Sequence, residues 1–232
     1  MSVHMSGNSV RDRGEQPLVW YASYGSNMDA RRFACYIQGG VPLGGTRDHI
    51  GCDDKSMPVA ETGMEIPYSL YFAGESAVWT GGVAFVRGIA GEQKTKSKAY
   101  LITKAQFEQV VAQESRRDYI PPMDITLLRT QGQLIVEDGN SNYDQVLYCG
   151  EYQGYPVLTC TSPHLKQPYT KPAHTYIKMI TAALWHTHDL TANEIFAYLC
   201  TKPGISGNYS QAELSEVIVD SLPSGLHYAV KP

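Results

Sequence analysis

The chain has 232 residues, 43% of them hydrophobic and 18% charged, with a formal net charge of −4. That length supplies one sizeable core, and the balance excludes both an intrinsically disordered chain and the broad cationic stripe of a nucleic-acid binder. The five cysteines are scattered with no C-x-x-C pair, which fits reduced thiols in a cytoplasmic protein better than a disulfide framework. No run approaches the length of a membrane span, so neither a membrane nor a nucleic-acid partner is expected, and oligomeric state is left open.

Residues 1–16 are polar and aperiodic and read as a disordered tail, leaving 17–232 as a single domain. The apolar run 18–22 predicts a strand. It breaks at Tyr24-Gly25-Ser26-Asn27, after which 29–36 has helical character. A strand, a small-residue turn and a helix start bring free N–H groups and a positive dipole end to one point, where an anion or oxyanion is welcome. Gly25 admits close backbone approach, and Ser26 or Asn27 is suited to cap the helix. The same residues also describe an ordinary capped corner.

Residues 39–45 read as a loop, and 51–67 is polar and turn-rich, a surface excursion rather than a lid. Strands are predicted at 69–72, 77–86 and 98–102, the second with Gly81-Gly82, which calls for a bulge or a close backbone neighbour. Thr103-x-x-Gln106 is a capping box, so a helix should begin near Lys104. Its stripe runs Phe107, Val110, Val111, and the next inward position is Glu114. A carboxylate held away from water has a raised pKa, which suits a general base near neutrality. The plainer alternative is an ion pair with Arg116 or Arg117 at a fraying helix end. Glu108 and Gln109 lie off the stripe and read as solvated.

Short β-rich runs at 125–129, 133–136, 145–149 and 157–160 predict a sheet-dominated middle. The last third turns helical. Pro172 can open a helix, Tyr176, Met179, Ile180, Ala183 and Leu184 repeat at helical spacing, and Thr191-x-x-Glu194 and Ser210-x-x-Glu213 announce two shorter helices. Tyr176 is the first choice among the tyrosines for lining a cavity, with core packing as the alternative. His186 and His188, two apart at a helix end, do not share a face as a zinc pair does, and no metal or cofactor is expected. Cys35, Cys149 and Cys160 read as small buried hydrophobes rather than nucleophiles.

The Tyr24-Gly25-Ser26-Asn27 turn, Leu70-Tyr71-Phe72 with Gly74-x-Ser76, Trp79-x-Gly81-Gly82-Val83-Ala84, the helix ending in Glu114 and the helix after Pro172 resemble, in this order, the γ-glutamylcyclotransferase superfamily. The resemblance touches about half the chain, mostly between Trp20 and Glu114. It implies a mixed α/β (α+β) domain with a small closed β-barrel and flanking helices, the turn on one wall of a cavity and the glutamate opposite. It further implies an enzyme, a transferase or lyase without cofactor, that releases 5-oxoproline from a small-molecule γ-glutamyl amide. In that reaction the α-amine attacks its own γ-carbonyl. Carried over by position, Glu114 would be the base, while the backbone donors of Gly25 and Ser26, with Tyr24, would hold the substrate or its developing oxyanion. Asn27 in the same turn and Tyr176 from the inner face of the long helix complete the expected substrate-binding set. Because the nucleophile belongs to the substrate, no Ser or Cys nucleophile is required. The segment between Asn27 and Leu70 departs from compact members, so the leaving group stays open, and Arg47 reads either as a substrate-carboxylate anchor or as a surface residue. Two other readings stand beside this one: a non-catalytic protein that sequesters a small anion such as a nucleotide, and the same chemistry on a γ-glutamyl group carried by a larger molecule.

Overall fold

A computed structural model describes residues 16–42 and 45–223. Of the expected tail only Gln16 falls within them. The architecture is a mixed α+β fold built on one six-stranded sheet in the order β2-β3-β1-β6-β5-β4. The strands are β1 (Leu18–Ser23), β2 (Ala60–Ser76), β3 (Gly81–Thr103), β4 (Gln133–Ile135), β5 (Gln145–Tyr152) and β6 (Tyr155–Thr161). Six helices accompany them: α1 (Ala30–Gln38), α2 (Lys104–Glu114), α3 (Ile125–Gln131), α4 (His174–His188), α5 (Ala192–Leu199) and α6 (Gln211–Val219).

Strand β1 is central, antiparallel to β3 and parallel to β6. Its residues alternate between two cores, as the period of two demands. Trp20, Ala22 and Tyr24 pack with Ile177, Ile180, Leu184, Leu199 and Leu214 from α4, α5 and α6. Val19 and Tyr21 pack on the other face with Phe33, Ile37, Phe107 and Val110 from α1 and α2. A strand covered on both faces reads as the near-continuous apolar run seen at 18–22.

Three separate strands expected at 69–72, 77–86 and 98–102 are two arms of one long ribbon, β2 and β3. Bulges between Ile66 and Tyr68, Tyr68 and Leu70, and Ala73 and Ser76 absorb Pro67 and Gly74, which otherwise look like strand ends. The turn-rich reading of 51–67 is therefore corrected from Ala60 onward. Before it, Gln106 Nε2 donates to the carbonyls of Asp54 (2.9 Å) and Ser56 (2.8 Å), tying that segment to α2.

The expected closed barrel is also corrected: the sheet is open, with β2 and β4 as its edges. The ribbon curls over β6 without joining it by a backbone ladder. Val86 N–H instead donates to Thr161 Oγ1 (3.2 Å), and that hydroxyl donates back to the Val86 carbonyl (2.8 Å).

The expected strand at 125–129 is helix α3. Asp124 caps it by accepting from the N–H groups of Thr126 and Leu127, and Gly132 ends it at φ 75°. Those are ordinary helix punctuation, and they outweigh the β-branched composition. Among the described residues no helix is long and apolar enough to cross a membrane.

Candidate active site

After β1 the chain makes a short 3-10 turn, Ser26–Met28, before α1. The helix is capped by Asp29, whose carboxylate accepts from the N–H groups of Arg31 and Arg32, so the cap expected at Ser26 or Asn27 lies two residues beyond Asn27. That frees Ser26 and Asn27 for other partners. Ser26 Oγ accepts from Arg32 Nε at 3.0 Å. Asn27 Nδ2 donates to Glu114 Oε1 at 2.7 Å, while the Asn27 carbonyl accepts from the Tyr100 hydroxyl at 2.9 Å.

The capping box at Thr103 and Gln106 forms in full, which fixes where α2 starts and hence which face Glu114 occupies. Phe107, Val110 and Val111 are fully buried, and Glu114 continues their stripe at the end of the helix. Its partners are Asn27 and the Tyr36 hydroxyl. Arg117 points elsewhere, pairing with Asp138 (2.6 Å) and Asp144 (2.8 Å). Burial pushes the Glu114 carboxyl above its ordinary value, opposed by the nearby Arg32 charge, the Tyr36 and Asn27 hydrogen bonds and the Arg47 charge. Glu108 and Gln109 are not free in solvent as expected: Glu108 Oε1 accepts from Lys104 Nζ and Met123 N–H, both at 2.6 Å, and Gln109 Nε2 donates to Asp53 at 2.6 Å.

Glu114 opens onto a small inner cavity of about 50 Å³ bounded by Tyr24, Gly25, Ala84, Cys160 and Tyr176. Beyond it lies a wider cleft of about 610 Å³ that shares Ser26, Glu114, Tyr143 and Tyr176. Tyr176 descends from α4 into the back of this space, flanked by the rings of Trp79 (5.1 Å) and Phe72 (6.4 Å). Its hydroxyl accepts from the Ala84 N–H at 3.2 Å and from the backbone of Ser26, and burial pushes its pKa up to about 12. With backbone donors on its oxygen, its own proton is left to point at a ligand. A Cβ at Gly25 would lie 3.0 Å from that hydroxyl, which accounts for the glycine. Tyr24 plays a different part: its ring lines the cavity, but its hydroxyl donates to the Cys160 carbonyl at 2.8 Å.

The Gly81-Gly82 pair has the close neighbour that the sequence called for. A Cβ at Gly81 would meet the Lys171 carbonyl at 2.7 Å, and Gly82 N–H donates to that carbonyl at 2.9 Å. The segment leading into α4 is thereby laid directly on β3, which sets the depth of Tyr176. His188, weighed as a metal ligand, bonds through Nε2 to the Ser97 carbonyl at 3.0 Å, and His186 packs on Trp185.

Sequence reasoning missed Arg32. It lines the cleft with its guanidinium over the Trp79 ring (5.3 Å), and its Nη1 is buried with no hydrogen-bond partner. Arg47 also lines the cleft, exposed, with Nη1 on the Gln113 carbonyl at 3.2 Å. Arg116 and Lys166 add two further cations to the rim.

No family model matches the chain. It is 34% identical over 198 residues to histone deacetylase 5 of Arabidopsis thaliana, covering 78% of this chain but 30% of that protein, so it spans under a third of that relative's length. Among solved structures it is similar to a gamma-glutamyl cyclotransferase (TM-score 0.47, 12% identity, 88% of this chain and 99% of that one). It is similar also to the uncharacterized human protein loc79017 (0.46, 13%, 88% and 99%) and to YkqA of Bacillus subtilis (0.43, 15%, 80% and 55%).

Proposed function

We propose that the chain is a γ-glutamylcyclotransferase-type enzyme, releasing 5-oxoproline from a small γ-glutamyl amide. The observation that carries this reading is one carboxylate of raised pKa, fixed by Asn27 at the mouth of a cavity that the Tyr176 hydroxyl closes from the other side. Intramolecular aminolysis asks for little more. Glu114 removes a proton from the substrate's α-ammonium group. The freed amine forms a bond to its own γ-carbonyl carbon, and the carbonyl oxygen gathers negative charge next to the Tyr176 O–H. As the tetrahedral centre collapses, the bond to the leaving nitrogen breaks and that nitrogen takes the proton from Glu114. The carboxylate then accepts the second proton, shed by the ring nitrogen, and passes it to the departing amine. The products are 5-oxoproline and an ammonium group, with no nucleophile drawn from the protein.

Holding amine and carbonyl in register is worth about 7–11 kcal/mol in well-oriented intramolecular reactions, and one oxyanion donor about 3–4 kcal/mol. The inner cavity, at about 50 Å³, takes only one edge of a five-membered ring, so the rest of the substrate extends into the wider cleft, which suits a leaving group of varied size. The name of the Arabidopsis relative belongs to a protein of which this chain spans 30%, and this site gives no independent reason to transfer it. A sequestering role is the second reading, favoured by the four cations around the cleft. Incubation with a panel of γ-glutamyl amides and detection of 5-oxoproline by mass separates the two. Release that falls by about 10²–10⁴-fold in Glu114→Gln supports the enzyme. A ligand-dependent gain in Tm with no product from any amide supports the binder instead.

A further inference from the structure

We infer that Arg32 selects substrates carrying a free carboxylate on the same carbon as the reacting amine. This deepens the cyclotransferase reading and rests on it for the identity of that amine. Three observations converge on the residue. Its Nε is held by Ser26 Oγ at 3.0 Å, and the guanidinium lies over Trp79 at 5.3 Å, so both the position and the plane of the group are fixed before any ligand arrives. Its Nη1 is buried without a partner, a costly state that an anionic acceptor relieves. The acids nearby are already engaged: Asp29 holds Arg31 at 2.9 Å and caps α1, while Glu114 is taken by Asn27 and Tyr36.

Arg32 and Glu114 nevertheless face the same cleft, and the Arg32 charge is the strongest of those acting on the Glu114 carboxyl. An amino group at Glu114 therefore brings whatever its carbon carries towards Arg32. On a γ-glutamyl group that substituent is the α-carboxylate. A planar guanidinium fixed at one edge by Ser26 and on its face by Trp79 is suited to a carboxylate in a way that a flexible lysine is not. Of the other cations lining the cleft, Arg47 and Arg116 are exposed, so neither is held in one orientation as Arg32 is. The substrate class is thus the γ-glutamyl amides with an unesterified α-carboxyl group, and the 4-aminobutanoyl amides, which lack it, are poor substrates.

The test compares kcat/KM for an L-γ-glutamyl amide and the matching 4-aminobutanoyl amide, whose cyclised product is 2-pyrrolidinone, in wild type, Arg32→Gln and Arg32→Lys. The wild type should prefer the carboxylated substrate by about 100-fold. Arg32→Gln should lose about that factor on it and markedly less on the other, where only the Arg32 charge on Glu114 is removed, and Arg32→Lys should recover part of the loss. A parallel calorimetric titration uses 5-oxoproline and 2-pyrrolidinone as ligands. 5-Oxoproline should bind the wild type at least about tenfold more tightly than Arg32→Gln, with 2-pyrrolidinone indifferent to the change. Equal losses on both amides, or equal 5-oxoproline affinity in all three proteins, would overturn the assignment. Arg32-dependent binding of 5-oxoproline by a wild type that cyclises no amide would keep the carboxylate site and sink the cyclotransferase reading.

Discussion

Glu114 is legible in the sequence because helical periodicity reserves an inward place for it, and a glutamate there is out of pattern. What the sequence withholds is the identity of its partners. Asn27 and Tyr36 lie 87 and 78 residues away along the chain, and nothing local distinguishes Arg32 from its neighbour Arg31. The two arginines nevertheless part completely, one pairing with Asp29 at the surface and the other facing the cleft. The sign of the Glu114 titration follows from its surroundings. With its pKa raised in the folded state, the acid limb of kcat/KM should lie above the ordinary glutamate value of about 4.3. Asn27 donates to the ionised form and so restrains that rise. In Asn27→Ala the limb should therefore move to higher pH and kcat should fall roughly 10-fold or more, read from a pH–rate profile. Stability carries the opposite sign. Below the unfolded value both states are protonated and Glu114 costs nothing. As pH rises, the unfolded chain ionises first and the fold loses stability. Glu114→Gln should therefore match or exceed the wild-type Tm at pH 7, even as it loses activity.

Elements whose ends are marked by a cap are the ones the sequence places well. Thr103 with Gln106 and Thr191 with Glu194 both form complete capping boxes. The third, at Ser210, forms only in half, because the Glu213 carboxylate reaches Lys171 (2.6 Å) and His174 (2.7 Å) instead of its own helix start. Helix α3 shows the converse: its cap at Asp124 and stop at Gly132 were in the sequence, but a seven-residue span rich in Ile, Thr and Leu has too few turns to display a period. The β2–β3 ribbon reads as separate strands in the sequence because a bulge and a strand end use the same residues. The most exacting demand at this scale falls on Gly81. Alanine there would press its methyl group against the Lys171 backbone carbonyl at 2.7 Å, which has no flexible side chain to yield, and lift the start of α4 away from β3. Gly81→Ala should lower stability by about 1–3 kcal/mol in urea titration. It should also cut activity by more than that loss explains, because Tyr176 is only one turn into the displaced helix.

At the scale of the whole molecule, charge is distributed against its own average. The chain carries a net −4, yet among the described residues Arg32, Arg47, Arg116 and Lys166 surround the cleft with only Glu75 and Glu114 opposing them. On the proposed reading an anionic substrate would be drawn to this cleft although the chain as a whole carries negative charge. Between about 0.05 and 0.5 M salt the screening length falls from over 10 Å to about 4 Å, so KM for a γ-glutamyl amide should rise several-fold while kcat stays nearly constant. The rim cations come from segments far apart in sequence, which is why, Arg47 apart, a reading along the chain does not bring them together.

Strand β1 unites the two cores, since every side chain from Val19 to Tyr24 is buried. It also delivers the turn that holds Ser26 and Asn27. A beam clamped on both sides transmits little of the motion around it, so its free end is the steadiest platform the chain possesses. Amide protons along β1 should exchange only when the entire molecule opens, at a rate that tracks global stability, whereas those of the short edge strand β4 should exchange long before. The part of the protein that must hold its geometry to a fraction of an ångström thus hangs from the last part to come undone.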